Sequence, residues 1–151
     1  MSQQQIKLIS HRGNIDGPNP ERENSPSYIR EALEKGFDVE ADIWWDDYKI
    51  SLGHDEPKYQ INFSWLENKN LWLHAKNFYT LECLLDYPQF NCFYQTGKGS
   101  VLTTKNFIWS TELWSHKGVF VRKDFGVKEI NVLNIYGICS DYVNKIRGNY
   151  E

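Results

Sequence analysis

The sequence predicts an α/β protein built around a sheet of short strands. Apolar segments of four to seven residues recur along the chain and are bounded by Gly, Pro, Asn or Asp, as strands commonly are. One segment with strong helical periodicity lies between the first two of these segments. A strand, a helix, a second strand and then further short strands follow the order expected of an α/β sheet.

Seven segments are predicted strands because β-branched and aromatic residues are concentrated in them. They are Ile6–Ser10, Phe37–Ile43, Leu71–Ala75, Asn91–Tyr94, Asn106–Ser110, Gly118–Val121 and Tyr136–Ser140. Lys49–Gly53 is predicted to be a further strand or an extended arm. Glu129–Ile135 fits either a helical turn or a strand, and both interpretations stay open.

The best predicted helix covers the stretch SPSYIREALEKG. Ser25 suits its N-cap, Pro26 suits its first position, and Gly36 suits its end. A second, shorter helix is predicted over Thr80–Tyr87.

The length of 151 residues suits one domain, residues 1–151, because a core of useful size forms at this length. No internal repeat or low-complexity linker divides the chain. A complete (β/α)8 barrel takes about 250 residues, so a barrel in this chain would have shortened or missing outer helices.

Charge and composition favour a soluble, cytoplasmic protein. The net charge of -3, without a basic stripe, argues against a nucleic-acid partner. Three cysteines without CxxC spacing fit reduced thiols in a reducing compartment. The first residues lack the pattern of a signal peptide, and no apolar run approaches the roughly 20 residues that span a bilayer. We therefore expect no stable membrane insertion, and a homo-oligomer stays open.

Chemically active residues collect at the ends of the predicted strands, where parallel α/β sheets build their sites. They are His11 with Arg12, Glu40 with Asp42, and His54 with Asp55. Residues two apart on a strand share a face, so Glu40 and Asp42 offer paired oxygen ligands of the kind that Mg²⁺ and Ca²⁺ prefer. Two histidines suit an acid and a base, and the planar fork of Arg12 suits a phosphate. Together they predict metal-assisted cleavage of a phosphodiester.

The stretch LWLHAKN adds His74 and Lys76, which share a face of the Leu71–Ala75 strand and its extension. We expect Lys76 to neutralise charge on a phosphate oxygen.

Each group also has an ordinary structural interpretation. A histidine beside an aspartate is commonly a solvated pair, and we favour a solvated side chain for His116. Glu40 and Asp42 would then line a wet strand face, and Arg12 would form a plain ion pair. Because all of these groups occur at the ends of predicted strands, an active site is the favoured interpretation.

Four motifs carry a resemblance to a known family. HRG at His11–Gly13, EN at Glu23–Asn24, EAD at Glu40–Asp42 and HD at His54–Asp55 follow one another in order. In order and approximate spacing they resemble the glycerophosphodiester phosphodiesterase family of the phosphatidylinositol-phospholipase-C-like superfamily, in a short form. The match runs from Leu8 to Pro57, and HAKN and GICSDY extend it more weakly.

The resemblance implies a compact TIM-type (β/α) barrel that hydrolyses a glycerophosphodiester to glycerol phosphate and an alcohol. It implies an acid–base pair of His11 and His54, substrate binding by Arg12, Asn24 and Lys76, and metal binding by Glu40, Asp42 and His74. Glu23 and Asn24 would support the metal site or orient its neighbours. The sequence leaves open which histidine is the acid.

The implied cofactor is a divalent metal, Mg²⁺ or Ca²⁺ in first place and Mn²⁺ or Zn²⁺ as alternatives. Many family members carry a carboxylate where His74 stands, and imidazole binds Mn²⁺ or Zn²⁺ more readily than Ca²⁺. His74 is therefore interpreted in three ways: as a ligand, as a hydrogen-bonding substitute, or as a mark of weakened metal binding.

Two other functions compete with the hydrolase. A non-catalytic domain would keep the barrel and bind a phosphate-bearing ligand or a protein. A nuclease would use the ribose hydroxyl, although the acidic balance counts against it. Phe107, Trp109, Trp114 and Phe120 suit either a cationic head-group pocket or the core, and we favour the core for most of them.

Overall fold

The computed structural model describes residues 5–112, 115–122 and 134–148. Its strands are β1 (Lys7–His11), β2 (Asp38–Asp46), β3 (Lys49–Leu52), β4 (Tyr59–Ile61), β5 (Leu71–Ala75), β6 (Cys92–Tyr94), β7 (Ser100–Leu102), β8 (Ile108–Ser110), β9 (Gly118–Val121) and β10 (Gly137–Ser140). Its helices are α1 (Pro26–Glu34), α2 (Phe78–Leu85) and α3 (Val143–Gly148), with a 3₁₀ helix over Phe63–Glu67.

The ten strands form one curled mixed sheet with the shape of a half-barrel. Seven strands run parallel in the order β6-β5-β2-β1-β10-β9-β8. The remaining three are antiparallel: β3 pairs with the second half of β2, β4 pairs with β3, and β7 pairs with β8. The parallel strands point their C-terminal ends to one edge, which is where such sheets build their sites.

The prediction of a TIM-type barrel is wrong. A TIM barrel follows each parallel strand with a helix, whereas the described residues contain three short helices against ten strands. One connection between parallel strands is too short to hold a helix, and another contains strands and a 3₁₀ helix in place of an α-helix. Only residues 111–117 separate β8 from β9, below the dozen or so that a helical crossover needs. Between β2 and β5 the chain spends its length on β3, β4 and the 3₁₀ helix.

Helix α1 confirms its predicted start. Pro26 opens the helix, and the Ser25 hydroxyl accepts a hydrogen bond from the Tyr28 amide. Helix α2 begins two residues before its predicted start, because the side chain of Asn77 caps the amide of Thr80 at 2.8 Å. Both helices pack on the outer side of the sheet and bury its apolar residues there.

Successive side chains of β2 and β5 point to opposite faces of the sheet, so one face joins the core and the other carries the candidate site residues. Val39, Ala41 and Ile43 belong to the cluster under the helices, as do the odd-numbered residues of β5. Glu40 and Asp42 therefore face the inner side of the curl. The same geometry puts two buried carboxylates on one face in the first five residues of β2.

Aromatic residues fill the inner side of the curl. Phe93 on β6 stacks on Trp109 of β8 with 4.5 Å between ring centroids, which brings the two ends of the parallel run together. Trp109 and Phe120 are buried, so the core interpretation is confirmed for them. Trp114 and most of Glu129–Ile135 lie outside the described residues. His116 is exposed, as expected.

Candidate active site

Two strands, β2 and β5, bring the candidate metal ligands to one place, and β1 brings His11 beside them. In the parallel register Asp42 of β2 lies opposite His74 of β5, and Glu40 lies opposite His11 of β1. One ligand atom from each of Glu40, Asp42 and His74 lies within 4.8 Å of the others. The structure thus brings together the three residues predicted to hold a metal.

The geometry of this cluster suits a cation. His74 Nδ1 lies 3.1 Å from Asp42 Oδ1 and 3.6 Å from Glu40 Oε2. Glu40 Oε1 is buried and has no hydrogen-bond partner among the described residues. A buried carboxylate oxygen without a donor is costly, so the residues fit a divalent metal that would satisfy it.

The second nitrogen of His74 sets its tautomer. His74 Nε2 lies 3.3 Å from the carbonyl oxygen of Gln95, and a carbonyl oxygen accepts but cannot donate. Nε2 therefore carries a proton, and Nδ1 is the nitrogen that faces the two carboxylates. The ring is also stacked on Phe93, with 4.9 Å between centroids. These contacts favour the interpretation of His74 as a ligand that binds through Nδ1.

Without a metal, His74 is expected to be a cation at neutral pH. Burial alone lowers its pKa, but the adjacent carboxylates of Asp42 and Glu40 outweigh it and raise the pKa to about 9. Bound metal would compete with this proton for Nδ1.

We expect nitrogen-resolved NMR of the metal-free protein to follow the His74 ring through a transition near pH 9. Its folded pKa lies above the value of about 6.5 in the unfolded chain. The stability that protonation contributes is therefore complete below about pH 6.5 and disappears as the pH rises through about 9. Asp42→Asn should lower the transition pH, and an unchanged midpoint would contradict the ion pair.

The buried carboxylate of Asp42 is surrounded by three basic side chains and by Asn24. Its Oδ2 accepts a hydrogen bond from Asn24 Nδ2 at 2.9 Å and lies 3.2 Å from Arg12 Nε. The Arg12 Nε contact is ionic, because the N–H is not aligned as a hydrogen bond. Asp42 Oδ1 contacts His74 and also lies 3.7 Å from Lys76 Nζ. Burial opposes ionisation of Asp42, but the His74 hydrogen bond and the three positive charges prevail and lower its pKa.

Asn24 holds Asp42 in place. It is fully buried, and its Oδ1 accepts a hydrogen bond from the Asp42 amide at 3.0 Å while its Nδ2 binds the carboxylate. This double contact corresponds to the predicted support of the metal site. Both polar atoms of the Asn24 side chain are thus bonded to Asp42, whereas the resemblance implied a contact with the substrate.

Arg12 and Lys76 border the cluster as the nearest cations. Arg12 has a φ of +60°, a conformation that is rare outside glycine and that concentrates at functional sites. Backbone hydrogen bonds to Glu40 and Asn24 fix it there, and Glu23 binds Nη1 at 3.1 Å. Burial opposes the charge of Arg12, yet Glu40 and Asp42 offset this and raise its pKa.

His11 is oriented by a residue that the sequence analysis did not select. Its Nδ1 lies 2.8 Å from Asp141 Oδ1, and the same oxygen accepts a hydrogen bond from Asn14 at 2.9 Å. An ionised carboxylate only accepts, so Nδ1 carries the proton and Nε2 presents a lone pair. Nε2 lies 3.9 Å from Glu40 Oε1. His11 therefore stands beside the metal cluster in the tautomer of a general base.

A signal for Asp141 was present in the sequence. It directly follows the last predicted strand, in GICSDY, as His11 follows the first. Strands β1 and β10 are parallel neighbours, so the residues after them meet at one edge.

His54 is not brought into contact with the cluster. Its side chain is 45% exposed and its Nδ1 pairs with Asp55 at 2.7 Å. It nevertheless lies at the same edge, because the neighbouring Gly53 amide donates to the Asp42 carbonyl. A side chain at Gly53 would put a Cβ 1.9 Å from the Glu56 carbonyl oxygen, so this turn needs glycine.

Comparisons with protein-family models and with curated proteins find no match for this chain. Among the described residues, no helix has the length and apolar character that crossing a membrane requires.

Proposed function

We propose that this protein is a metal-dependent phosphodiesterase that converts a glycerophosphodiester to glycerol phosphate and an alcohol. The observation that carries the proposal is the buried cluster of Glu40, Asp42 and His74, with one unsatisfied carboxylate oxygen facing the histidine held by Asp141. A metal cluster, an oriented base and two flanking cations are what phosphodiester cleavage requires.

Glu40, Asp42 and His74 would hold the metal. A divalent cation bound there would offset negative charge on the phosphoryl oxygens and polarise the phosphorus centre. Two carboxylates and one imidazole form a mixed donor set that suits Mn²⁺ and Zn²⁺ as well as Mg²⁺. Arg12 and Lys76 would contact the remaining phosphate oxygens from the rim of the cluster.

His11 would act as the base. Its Nε2 accepts the proton of the glycerol hydroxyl next to the ester, and that oxygen forms a new bond to phosphorus while the bond to the alcohol breaks. The Nδ1–H bond to Asp141 stabilises the resulting imidazolium. Water then opens the cyclic phosphate and yields glycerol phosphate.

His54 would donate a proton to the departing alcohol. Its side chain is 45% exposed at the same edge of the sheet, where a departing alcohol would reach solvent. Nδ1 is bonded to Asp55, so Nε2 would be the nitrogen that gives the proton to the alcohol.

The role of His54 predicts a dependence on the leaving group. His54→Ala should slow hydrolysis of an alkyl glycerophosphodiester by about 10²-fold or more, because an alkoxide leaves poorly without a proton. An analogue that releases para-nitrophenol needs no proton and should change by less than about threefold. Steady-state rates on both substrates test this, with His116→Ala as an exposed control. Equal losses on both would remove His54 from the acid role.

Hydrolysis of a panel of glycerophosphodiesters tests the function as a whole. Product release should require added Mg²⁺, Mn²⁺, Zn²⁺ or Ca²⁺, stop with chelator, and disappear in Glu40→Gln. No turnover of any diester with any of these metals would overturn the proposal. Calorimetric binding of a glycerophosphodiester without turnover would instead favour a non-catalytic binding domain, and cleavage of a diribonucleotide alone would favour a nuclease.

A further inference from the structure

The loop after β6 reaches the metal cluster through its backbone. Gln95 immediately follows β6 and presents its carbonyl oxygen to His74 Nε2 at 3.3 Å. The side chain of the same residue turns back along its own loop, and its Nε2 donates to the Gly99 carbonyl at 2.9 Å. One residue thus contacts His74 with its main chain and fixes its loop with its side chain.

The closed loop is fastened to the other end of the sheet. The Gly99 amide donates to Thr111 Oγ1 at 3.0 Å, and the Thr111 amide donates to the Gly99 carbonyl at 3.2 Å. Thr111 directly follows β8, while Gln95 belongs to the β6 end. A chain of hydrogen bonds therefore runs from Thr111 through Gly99 and Gln95 to His74.

We infer that Gln95 is a positioning residue for the metal cluster, whose amide side chain holds the loop so that its carbonyl keeps His74 Nδ1 aimed at Glu40 and Asp42. This inference rests on the metal site of the proposed function. Histidine ligands depend on the group that binds their second nitrogen, since it fixes both tautomer and ring orientation. Here that group is a carbonyl on a loop of five residues, 95–99, which the hydrogen bond from Gln95 to Gly99 closes.

Two substitutions break the chain of hydrogen bonds without touching a ligand. Gln95→Met keeps the length of the side chain and removes the donor to Gly99. Thr111→Val keeps the shape of the side chain and removes the acceptor for the Gly99 amide. Gln89→Met and Thr96→Val are matched controls, because both residues are exposed in neighbouring loop positions.

Zinc alone serves as the probe, with calorimetry for its Kd and nitrogen-resolved NMR for the His74 ring. Gln95→Met should raise the Kd about tenfold, the lower end of the effect of losing such a partner, and Thr111→Val should raise it less. The His74 Nε2–H signal should exchange faster with water in both variants, with and without zinc. Both controls should match the unaltered protein, and so should the urea midpoint of Gln95→Met.

The outcomes separate this inference from the function. An unaltered protein that binds no zinc overturns this inference, and one that also binds no Mn²⁺, Mg²⁺ or Ca²⁺ overturns the metal site as well. A protein that binds zinc equally well in Gln95→Met, with an unchanged His74 Nε2–H signal, overturns the positioning role alone. Equal loss in the control variants would likewise reject a specific role for Gln95.

Discussion

Replacing Asp42 by alanine is expected to lower the free energy of unfolding of the metal-free protein by about 3–5 kcal/mol, the usual cost of removing one partner of a buried ion pair. Three cations converge on this carboxylate: Arg12 at 3.2 Å, His74 at 3.1 Å and Lys76 at 3.7 Å. Asn24 Nδ2 also loses its carboxylate acceptor, whereas Asn24 Oδ1 keeps the backbone amide of residue 42 as its donor. Urea unfolding at pH 7 with chelator present measures the loss.

Glu40→Gln is the matched comparison for Asp42. Glu40 Oε1 has no hydrogen-bond partner in the described part of the chain, and Oε2 lies 3.6 Å from His74 Nδ1, so Glu40→Gln weakens one ionic contact and keeps the shape of the side chain. We expect a change within about 1 kcal/mol, together with loss of metal binding. Equal destabilisation by the two substitutions would mean that Glu40 serves the fold, and would remove the main support for the metal site.

Local sequence signals predicted several helices and strands well. Ser25 and Pro26 mark the start of α1 because capping is decided within one turn of the chain. The predicted strand Gly118–Val121 coincides with β9, and β2 extends three residues beyond its predicted end at Ile43. The extension occurs because β3 folds back on β2 and pairs with it, which is a contact between segments.

Strands made by pairing were missed. Tyr59–Ile61 and Ser100–Leu102 have three residues each, and their extended form depends on the neighbouring strands β3 and β8. Three residues are too few for a period to show in the sequence. Helix α3 was missed as well. The barrel was expected from the family resemblance, and the short connections of this chain do not support its outer helices.

The site was predicted where alternation along one strand decides it. Glu40 with Asp42 and His74 with Lys76 were selected because residues two apart share a face. Asp141 lies 130 positions from the histidine that it orients, so only the pairing of β1 with β10 reveals their contact. The Gln95 contact uses a backbone carbonyl, which any residue would carry and no sequence pattern marks.

His11→Ala is expected to lower kcat by about 10²–10⁴-fold, the usual contribution of a general base. His11 Nε2 lies 3.9 Å from Glu40 Oε1 and is outside the set of three ligands, so the Kd for zinc should stay close to that of the unaltered protein. Single-turnover rates on a glycerophosphodiester, beside calorimetry with zinc, separate the two quantities. A large rise in Kd would make His11 a ligand and exclude it as the base.

Asp141→Asn tests whether the carboxylate acts through His11. An asparagine retains an oxygen for His11 Nδ1 and for Asn14, so the ring keeps its orientation and loses the negative charge that stabilises the imidazolium. We expect kcat between those of the unaltered protein and His11→Ala. In the double variant kcat should equal that of His11→Ala alone, because residues that act as one unit are not additive. A further fall in kcat in the double variant would show that Asp141 contributes independently of His11. If Asp141→Asn has the kcat of the unaltered protein, the negative charge of Asp141 has no role in catalysis.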